Sequence, residues 1–307
     1  MANSTPAAIL DPGGVIDVKP RRPRPLLVRV LIQLVREKHL GFWGGLVPIV
    51  LVILLAVFAS QISRGAAPNH QDADSLLKGP NAAHWLGTDE YGRDVLSRVA
   101  HGARVSLLVG FMSVLLGISV ATVIGMVSGG FGGWVDLALQ RVVDVIMAFP
   151  SFVLILLIAS ILGPGERNTI IAIAVFLVAG PSRVIRAQVL TVKQNMYVEA
   201  ARSIGCSYPR VLLRHILPNV FDVIVVIVSI NIAFAIITEA ALSFLGLGIP
   251  PPNPDWGGMV SGTETAYLAK APWIIASAGS VLAITVFAFN MLGDALRDIL
   301  DPRLRQL

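Results

Sequence analysis

Residues able to do covalent or metal chemistry are scarce in this sequence and irregularly spaced. No histidine is followed four positions later by another, as a zinc-binding helix requires; the five are His39, His70, His84, His101 and His215. The single cysteine, Cys206, excludes an intrachain disulfide and a cysteine metal cluster. The chain contains neither a Gly-Lys pair for a P-loop nor a Gly-x-Ser-x-Gly elbow. An integral-membrane hydrolase is therefore disfavoured, and we assign no catalytic residue, metal or cofactor to the chain.

The most informative polar stretch is 197–219, an arginine-rich segment between two apolar runs. Its pattern predicts two short helices joined by a turn. Glu199, Ala200 and Ala201 fall in the first helix, where small side chains would let another protein approach closely. Gly205 then stands where a helix end favours a residue that tolerates positive φ.

The second predicted helix begins at Ser207, with Pro209 in its first turn, where proline is tolerated. Pro218 is expected to close this helix, because its ring opposes continuation. The whole segment is thus predicted to be a helix-turn-helix that projects from a membrane domain. An ordinary helix hairpin between two membrane spans is the alternative interpretation.

The Glu-Ala-Ala triplet, the glycine after three further residues, and the closing Ile-Leu-Pro together resemble the EAA loop of bacterial ABC-importer permease subunits. His215 before that triplet is the form seen in the peptide and nickel branch. The resemblance implies that the loop, 195–219, is a coupling helix that docks into a groove on a cytoplasmic ATPase. It assigns coupling to Glu199, Ala200, Ala201, Gly205, Ile216, Leu217 and Pro218.

Composition agrees with a membrane domain. Apolar residues make up 55% of the 307 residues, while charged residues make up only 14%, against roughly 25% in soluble domains. Six apolar runs are long enough to be considered as spans: 41–60, 103–128, 137–162, 168–187, 220–240 and 272–293. The formal charge of +5 does not indicate nucleic acid, because the basic residues collect in particular loops.

The predicted divisions are a basic N-terminal tail (1–40), a first span (41–60), an outer loop (61–102), a five-helix core (103–293) and a C-terminal tail (294–307). The stretch 26–40 is either an amphipathic surface helix or part of a disordered tail. Both termini and the 195–219 loop are predicted to be cytoplasmic. Of the 24 Lys and Arg residues, 17 then fall inside, as the positive-inside rule expects.

Two outer segments carry a second resemblance. In the first, Thr88 is predicted to cap a helix whose first turn holds Asp89 and Glu90. This stretch resembles the LGTD-x-x-GRD-x-x-SR signature of C-type peptide and nickel permeases. The second, 246–271, contains a proline run followed by Asp-Trp-Gly, which resembles the same branch. Because proline fixes φ, this loop is expected to be stiff and to form a mouth or a docking surface for a solute-delivery protein.

Polar groups within predicted spans are costly, so they are candidates for a pathway or for contacts between helices. For Asn231 and Asn290 we favour a hydrogen bond between helices. Asp144 and Glu239 lie near the ends of their runs and are expected to reach the interface. Pro150 is available to kink the third span. Two phenylalanines complete the pathway candidates, although packing is the commoner role of this residue; they are Phe149 and Phe234.

The sequence therefore predicts an all-α integral membrane protein with six transmembrane helices. The resemblance implies a MetI-like type I permease fold in the bacterial cytoplasmic membrane, and import of di- or oligopeptides. It also implies a homologous second permease, two ABC ATPases that bind ATP and Mg²⁺, and an external solute-binding protein. Nickel is the alternative substrate. An ion-coupled secondary carrier and a membrane scaffold are the alternatives from other classes.

Overall fold

A computed structural model of the chain describes residues 40–63, 67–261, 267 and 269–300. The predicted N-terminal tail, including the amphipathic stretch up to His39, lies outside these residues, and so does 301–307 of the predicted C-terminal tail. The described residues form helices and loops, with one isolated β-bridge between Thr88 and Asp94. The predicted all-helical class is confirmed.

The helices are named here in chain order. They are α1 (Leu40–Val57), α2 (Ala59–Ile62), α3 (Val95–Phe131), α4 (Gly133–Met147), α5 (Ser151–Leu162), α6 (Glu166–Lys193), α7 (Met196–Ser203), α8 (Tyr208–Val211), α9 (Leu217–Phe244), α10 (Trp256–Met259) and α11 (Pro272–Leu300). A 3₁₀ turn spans Ala73–Ser75, and a π-helical turn at Leu212–Ile216 joins α8 to α9.

Four of the described helices are long and apolar enough to cross a membrane. They are α3, α6, α11, and the continuous rod formed by α8, the π-turn and α9. The pair α4–α5 passes the same test jointly but is bent by 87°, so it counts as a fifth span only if both helices form one crossing. Helix α1 is apolar but has only 18 residues. The structure thus has four spans, or five with the bent pair, where the sequence predicts six; the remaining predicted span is the shorter helix α1.

The packing of α3 on α6 depends on small residues spaced along one face of α3. A Cβ atom added to Gly117 would lie 2.8 Å from the carbonyl oxygen of Ala174, and one on Gly125 would lie 2.8 Å from that of Ser182. Such contacts are closer than a real side chain tolerates, so only glycine permits this approach. Small residues of this kind let helix backbones meet in membrane proteins.

The direction of the helices follows from these contacts. Gly117 faces Leu177 and Gly129 faces Val189, so α3 and α6 run in the same direction. Helix α9 runs the opposite way, since Gly110 faces Ile236 whereas Gly130 faces Leu212. The loop at 195–219 therefore lies at the end of the bundle where α3 and α6 finish, and the segments 67–94 and 245–261 lie at the other end.

The first outer segment differs from its prediction. The helix begins at Val95, and its N-cap is Asp94, whose carboxylate accepts a hydrogen bond from the Ser97 N–H at 2.8 Å. Thr88 is not the cap: it is buried in the preceding turn, where its hydroxyl accepts from the Lys78 N–H at 2.9 Å. The expected loop helix is the beginning of α3 itself, whose 37 residues span about 55 Å at the usual rise, more than the hydrocarbon core.

Pro150 has a larger effect than the predicted kink. It separates α4 from α5, and the two axes meet at 87°. Proline has no backbone N–H and restricts the residue before it, so Ala148 and Phe149 leave the helix and α5 restarts at Ser151. The predicted third span is thus two short helices at nearly a right angle.

A single methyl group tests the close α3–α6 packing. Gly125→Ala is expected to lower the stability of the detergent-solubilised chain by about 1–3 kcal/mol, because the Ser182 carbonyl must move away. Gly279→Ala on α11 is the matched control, since no atom lies within 4 Å of the added methyl group. Thermal unfolding measures both. Equal melting temperatures for the two variants would contradict the packing interpretation.

Candidate functional site

In the loop at 195–219, the first helix, α7, ends just before Gly205, as predicted. Gly205 has φ = 84°, the left-handed region that favours glycine. The Gly205 N–H donates to the Arg202 carbonyl oxygen at 2.9 Å, and the Cys206 N–H donates to that of Ala201 at 3.1 Å. These two bonds form a Schellman motif, which satisfies carbonyl groups that the helix end leaves open. The turn is therefore fixed by backbone geometry.

The second half of the loop corrects one prediction. Ser207 precedes α8 and Pro209 lies in its first turn, as expected. Pro218 does not close the helix, because the π-turn Leu212–Ile216 carries the chain directly into α9. The wider π-turn accommodates the proline ring, which an ordinary α-helical turn would not. The Asn219 side chain donates to the His215 carbonyl oxygen at 2.7 Å, and so satisfies an acceptor at this point.

The seven predicted coupling residues divide between the surface and the interior of the loop. Four are exposed: Glu199, Ala200, Gly205 and Pro218. Leu217 is half-buried, and Ala201 and Ile216 are buried. Ala201 and Ile216 therefore pack within the chain, and the coupling role of all seven residues stays a prediction. Helix α7 needs a small residue at position 201 because Val198 and Ala201 form its inward face.

The outward face of the loop is unusually apolar. Met196 is 83% exposed and Ile204 is 81% exposed, whereas Leu213, 65% exposed, lines an apolar groove against α3. The Glu199 side chain lies on the same exposed surface, and within the described residues it has no hydrogen bond or ion pair. Exposed apolar side chains grouped with an unpaired carboxylate are typical of a surface that another protein covers.

A polar cluster, here called the loop junction, ties the loop to the end of α3. The Gly130 carbonyl oxygen accepts from the Lys193 ammonium at 2.6 Å and also from the Tyr208 hydroxyl. The Tyr208 ring packs on Phe131 with centroids 4.9 Å apart, and the Arg202 guanidinium lies 5.8 Å from its centre. The loop is therefore held on a rigid support.

The loop junction continues to Asp136 on α4. The Arg186 guanidinium donates to both of its carboxylate oxygens, from Nε at 2.6 Å and from a terminal nitrogen at 2.5 Å. The Ser128 hydroxyl donates to the same carboxylate and accepts from the Gln140 amide at 3.0 Å. Asp136 thus connects α3, α4 and α6 through one carboxylate, and the two-pronged arginine geometry makes the link strong and directional.

At the other end of the bundle, the Leu-Gly-Thr-Asp and Gly-Arg-Asp residues form a compact cap. The Asp89 carboxylate accepts from the Tyr91 and Arg93 N–H groups, each at 2.9 Å, and pairs with the Arg93 guanidinium at 2.5 Å. Arg98 pairs with it at 3.5 Å. The Trp273 indole N–H donates to the Thr88 carbonyl oxygen at 3.1 Å, which attaches the cap to α11. The signature residues are thus part of the folded cap.

The Pro-rich outer segment is anchored in the bundle by the Asp-Trp-Gly residues that follow its prolines. Trp256 is fully buried, and its indole N–H donates to the Val99 carbonyl oxygen at 3.1 Å. Asp255 caps α10 by accepting from the Gly258 N–H at 2.8 Å. Burial raises the pKa of the Asp255 carboxyl above its ordinary value.

A cavity of about 420 Å³ lies between this segment and the cap. Its walls combine both charges with proline and a tyrosine. The lining residues that matter most are Glu90, Tyr91, Arg93, Arg98, Pro251 and Asp255. The arrangement suits a polar or zwitterionic group that enters from the outer end.

Glu239 does not reach the interface, which corrects its prediction. Its side chain is fully buried, and one carboxylate oxygen accepts from the Ser243 hydroxyl at 3.4 Å. It lies close to Asp255 at the base of the outer segment. Sequence position near the end of a helix gave no sign of this burial, because the covering residues come from the loop that follows.

The other pathway candidates are spread over α4, the α4–α5 break, α9 and α11. Asp144 is exposed, as expected, and pairs with Arg183 and, at 3.4 Å, with Arg141. The amides of Asn231 and Asn290 donate to carbonyl oxygens of their own helices, at 2.7 and 3.0 Å, and not between helices as predicted. Phe234 packs on Phe176 with centroids 5.7 Å apart, and Phe149 is exposed at the α4–α5 bend. These side chains therefore do not form one site.

Sequence reasoning missed the residues that join elements: Tyr208, Lys193, Asp136 and Arg186 at the loop junction, and Trp256 and Trp273 at the outer end. The repeated small residues of α3, at Gly117, Ala121, Gly125 and Gly129, were a usable signal. No group of three or more His, Cys, Asp or Glu side chains able to hold a metal ion occurs in the part of the chain that the structure describes.

Comparison with known proteins gives consistent results. Residues 121–306 match the family described as "Binding-protein-dependent transport system inner membrane component". The glutathione transport system permease protein GsiD of Pectobacterium atrosepticum is 41% identical over 269 residues, covering 88% of this chain and 89% of that protein. The proteins of the same name from Escherichia coli O157:H7 and Shigella dysenteriae serotype 1 are 41% and 42% identical over 270 residues, 88% of each chain.

The turn at Gly205 provides a test of the loop geometry. Gly205→Val is expected to lower the free energy of unfolding by about 1–2 kcal/mol, because a β-branched residue tolerates the left-handed region poorly. Gly205→Asn is the matched control, since asparagine enters that region more readily. Hydrogen–deuterium exchange over α7 should accelerate in the valine variant and change little in the asparagine variant. Unchanged exchange in both would show that the turn does not support α7.

Proposed function

The chain belongs to the family of binding-protein-dependent transport system inner membrane components, and we propose that it imports di- and oligopeptides, glutathione among them. It is a permease subunit of an ABC importer, of the C-type found in the dipeptide, oligopeptide and nickel branch. As an inner membrane component it acts together with ATPase and solute-binding subunits. The finer assignments below are proposals.

The observation that carries the coupling role is the exposed apolar surface of the 195–219 loop. Met196 lies on α7 and Ile204 in the turn that follows it, and both positions are fixed by the Schellman turn and the loop junction. A pre-organised apolar surface loses little side-chain freedom on binding, so it suits docking into a groove of the ATPase. Glu199 lies on this surface and is proposed to meet a basic or N–H donor group of that partner.

The energy for transport is proposed to come from the partner subunits. This sequence has no P-loop, so ATP and Mg²⁺ are assigned to two ATPases, and this chain does no covalent chemistry. Closure of the ATPases would move the loop, and tilting of the bundle would then switch the pathway between its two openings. A homologous second permease would supply the other half of the path.

The orientation proposed from the basic residues agrees with the helix directions. The start of α1 lies beside the end of α11, because Gly45 faces Leu292, and the coupling loop is at that same end of the bundle. With the loop in the cytoplasm, both chain termini are proposed to be cytoplasmic. The cap and the Pro-rich segment are then on the outer side, where the solute-binding protein would dock.

We favour peptides as substrates for two reasons. The relatives described above are named as glutathione permeases, and the outer cavity is lined by residues of both charges. Glutathione is a tripeptide that carries both charges too, on an ammonium group and two carboxylates. Among the residues that line the cavity, Arg93 and Arg98 also pair with Asp89 in the cap. Nickel remains the second candidate, since the solute-binding protein of a nickel importer would select the ion. Asp144, Phe149, Asn231, Phe234, Glu239 and Asn290 stay predictions as pathway residues.

Uptake measurements in cells lacking this chain, and in the same cells after its restoration, test the substrate. Labelled glutathione, an unmodified α-linked tripeptide and nickel are compared at equal concentration. Loss and recovery of the peptides supports the proposal, and loss of glutathione alone narrows it to that tripeptide. Loss of nickel uptake alone would overturn the substrate and leave the coupling role intact.

The docking surface is tested separately by Ile204→Asp and Glu199→Ala. A charge at position 204 should reduce co-purified ATPase by about tenfold, because it must be desolvated in an apolar groove. Leu76→Asp is the matched control, an exposed apolar residue at the opposite end of the bundle. Glu199→Ala should lower substrate-stimulated ATP hydrolysis. Full ATPase recovery with Ile204→Asp would exclude this surface as the docking site.

A further inference from the structure

Helix α4 is attached to the bundle mainly by charges. Of its 15 residues only Val143 is buried, while Trp134, Leu137 and Val145 are exposed. Burial of apolar side chains is what normally fixes a helix, so its contribution here is small. Position and orientation of α4 must therefore depend on polar contacts.

Both ends of α4 are corners at which the chain can change direction. Gly132 and Gly133 have φ values of 69° and 56°, and no atom lies within 4 Å of a Cβ built on either. Glycine is thus required there for its backbone conformation and not for close packing. At the other end, Pro150 separates α4 from α5 at 87°. Helix α4 is a short rod between two breaks.

Two ion pairs hold this rod to α6. The Asp136–Arg186 pair is the better shielded, with side chains 19% and 32% exposed, and its arginine contacts both carboxylate oxygens. The Asp144–Arg183 pair is 40% and 45% exposed. Water and salt weaken exposed pairs strongly, so the first pair is the stronger link.

Helix α6 leads directly to the coupling loop. Arg186 lies two turns before Lys193, and only Gln194 and Asn195 separate the end of α6 from α7. Lys193 and Tyr208 donate to the Gly130 carbonyl oxygen, so the loop, α6 and the end of α3 are directly connected. A displacement of α7 is therefore transmitted along α6 to Arg186.

We propose that the Asp136–Arg186 pair makes α4 follow α6, so that movement of the coupling loop is passed to the bent α4–α5 pair. The inference rests on the proposed coupling function. Asp136 and Arg186 are positioning residues: they need not contact substrate, and they determine whether ATP-driven motion reaches α4. Ser128 and Gln140 complete the link by saturating the Asp136 carboxylate.

The test uses the complete transporter in lipid nanodiscs, with Asp136→Asn, Arg186→Gln and the charge-exchanged double variant D136R/R186D. Each single variant should transport about tenfold less substrate per ATP hydrolysed, the size of a typical coupling energy, while basal hydrolysis is retained. The exchanged pair should recover most of the loss. Arg183→Gln, which breaks the exposed Asp144–Arg183 pair, is the matched control and should have a much smaller effect.

A structural readout accompanies transport. Spin labels at Leu137 on α4 and Val184 on α6, both exposed, are introduced after Cys206→Ser. Their distance should stay constant through the nucleotide cycle in the unaltered chain, and should broaden in Asp136→Asn. An unchanged distance with normal transport would overturn the inference, as would an exchanged pair no better than the single variants. Absence of ATP-driven uptake by the unaltered transporter would instead refute the proposed function, and the distances would still test the link.

Discussion

The close contact between α3 and α6 is the constraint on which the rest of the molecule depends. Glycines at 117, 125 and 129 bring the two backbones together over several turns, and this contact sets the spacing of everything attached to their ends. Because the helices are parallel, both deliver their last turns to the same place, where Gly130 and Lys193 meet. Without the close α3–α6 contact, Gly130 and Lys193 would not be held close enough to form the loop junction.

The two ends of the bundle are stabilised by similar polar contacts, although they present different surfaces. At the loop end, backbone carbonyls and one carboxylate collect lysine, tyrosine and arginine side chains, leaving an apolar surface outside. At the other end, the Asp89 carboxylate gathers two arginines and two N–H groups, so its charge is satisfied within the cap. In both places a single acceptor group connects chain segments that are distant in sequence, which fixes loops without a large apolar core.

The local properties of the sequence predicted much of the helical fold and of the loop. Periodic apolar runs located the long helices, and the need for positive φ at Gly205 identified the turn of the loop. Prediction was poorer where a residue's role depends on distant partners. Pro218 appeared to end a helix because the π-turn before it depends on packing of Leu212 and Ile216. Glu239 appeared interfacial because the segment that buries it returns from beyond the helix. The 87° break at Pro150 likewise depends on how α4 is held by α6.

The buried indole of Trp256 has a consequence for how such permeases diversify. A segment that hydrogen-bonds to Val99 and fills the space beside Ser106 is interior structure, although it connects two helices on the outer side. It cannot be exchanged between related permeases as an independent module. A chimera that transplants the Pro-rich segment must carry the matching turns of α3 with it. Substrate or partner specificity encoded there would therefore evolve by paired changes in two segments about 150 positions apart in the sequence.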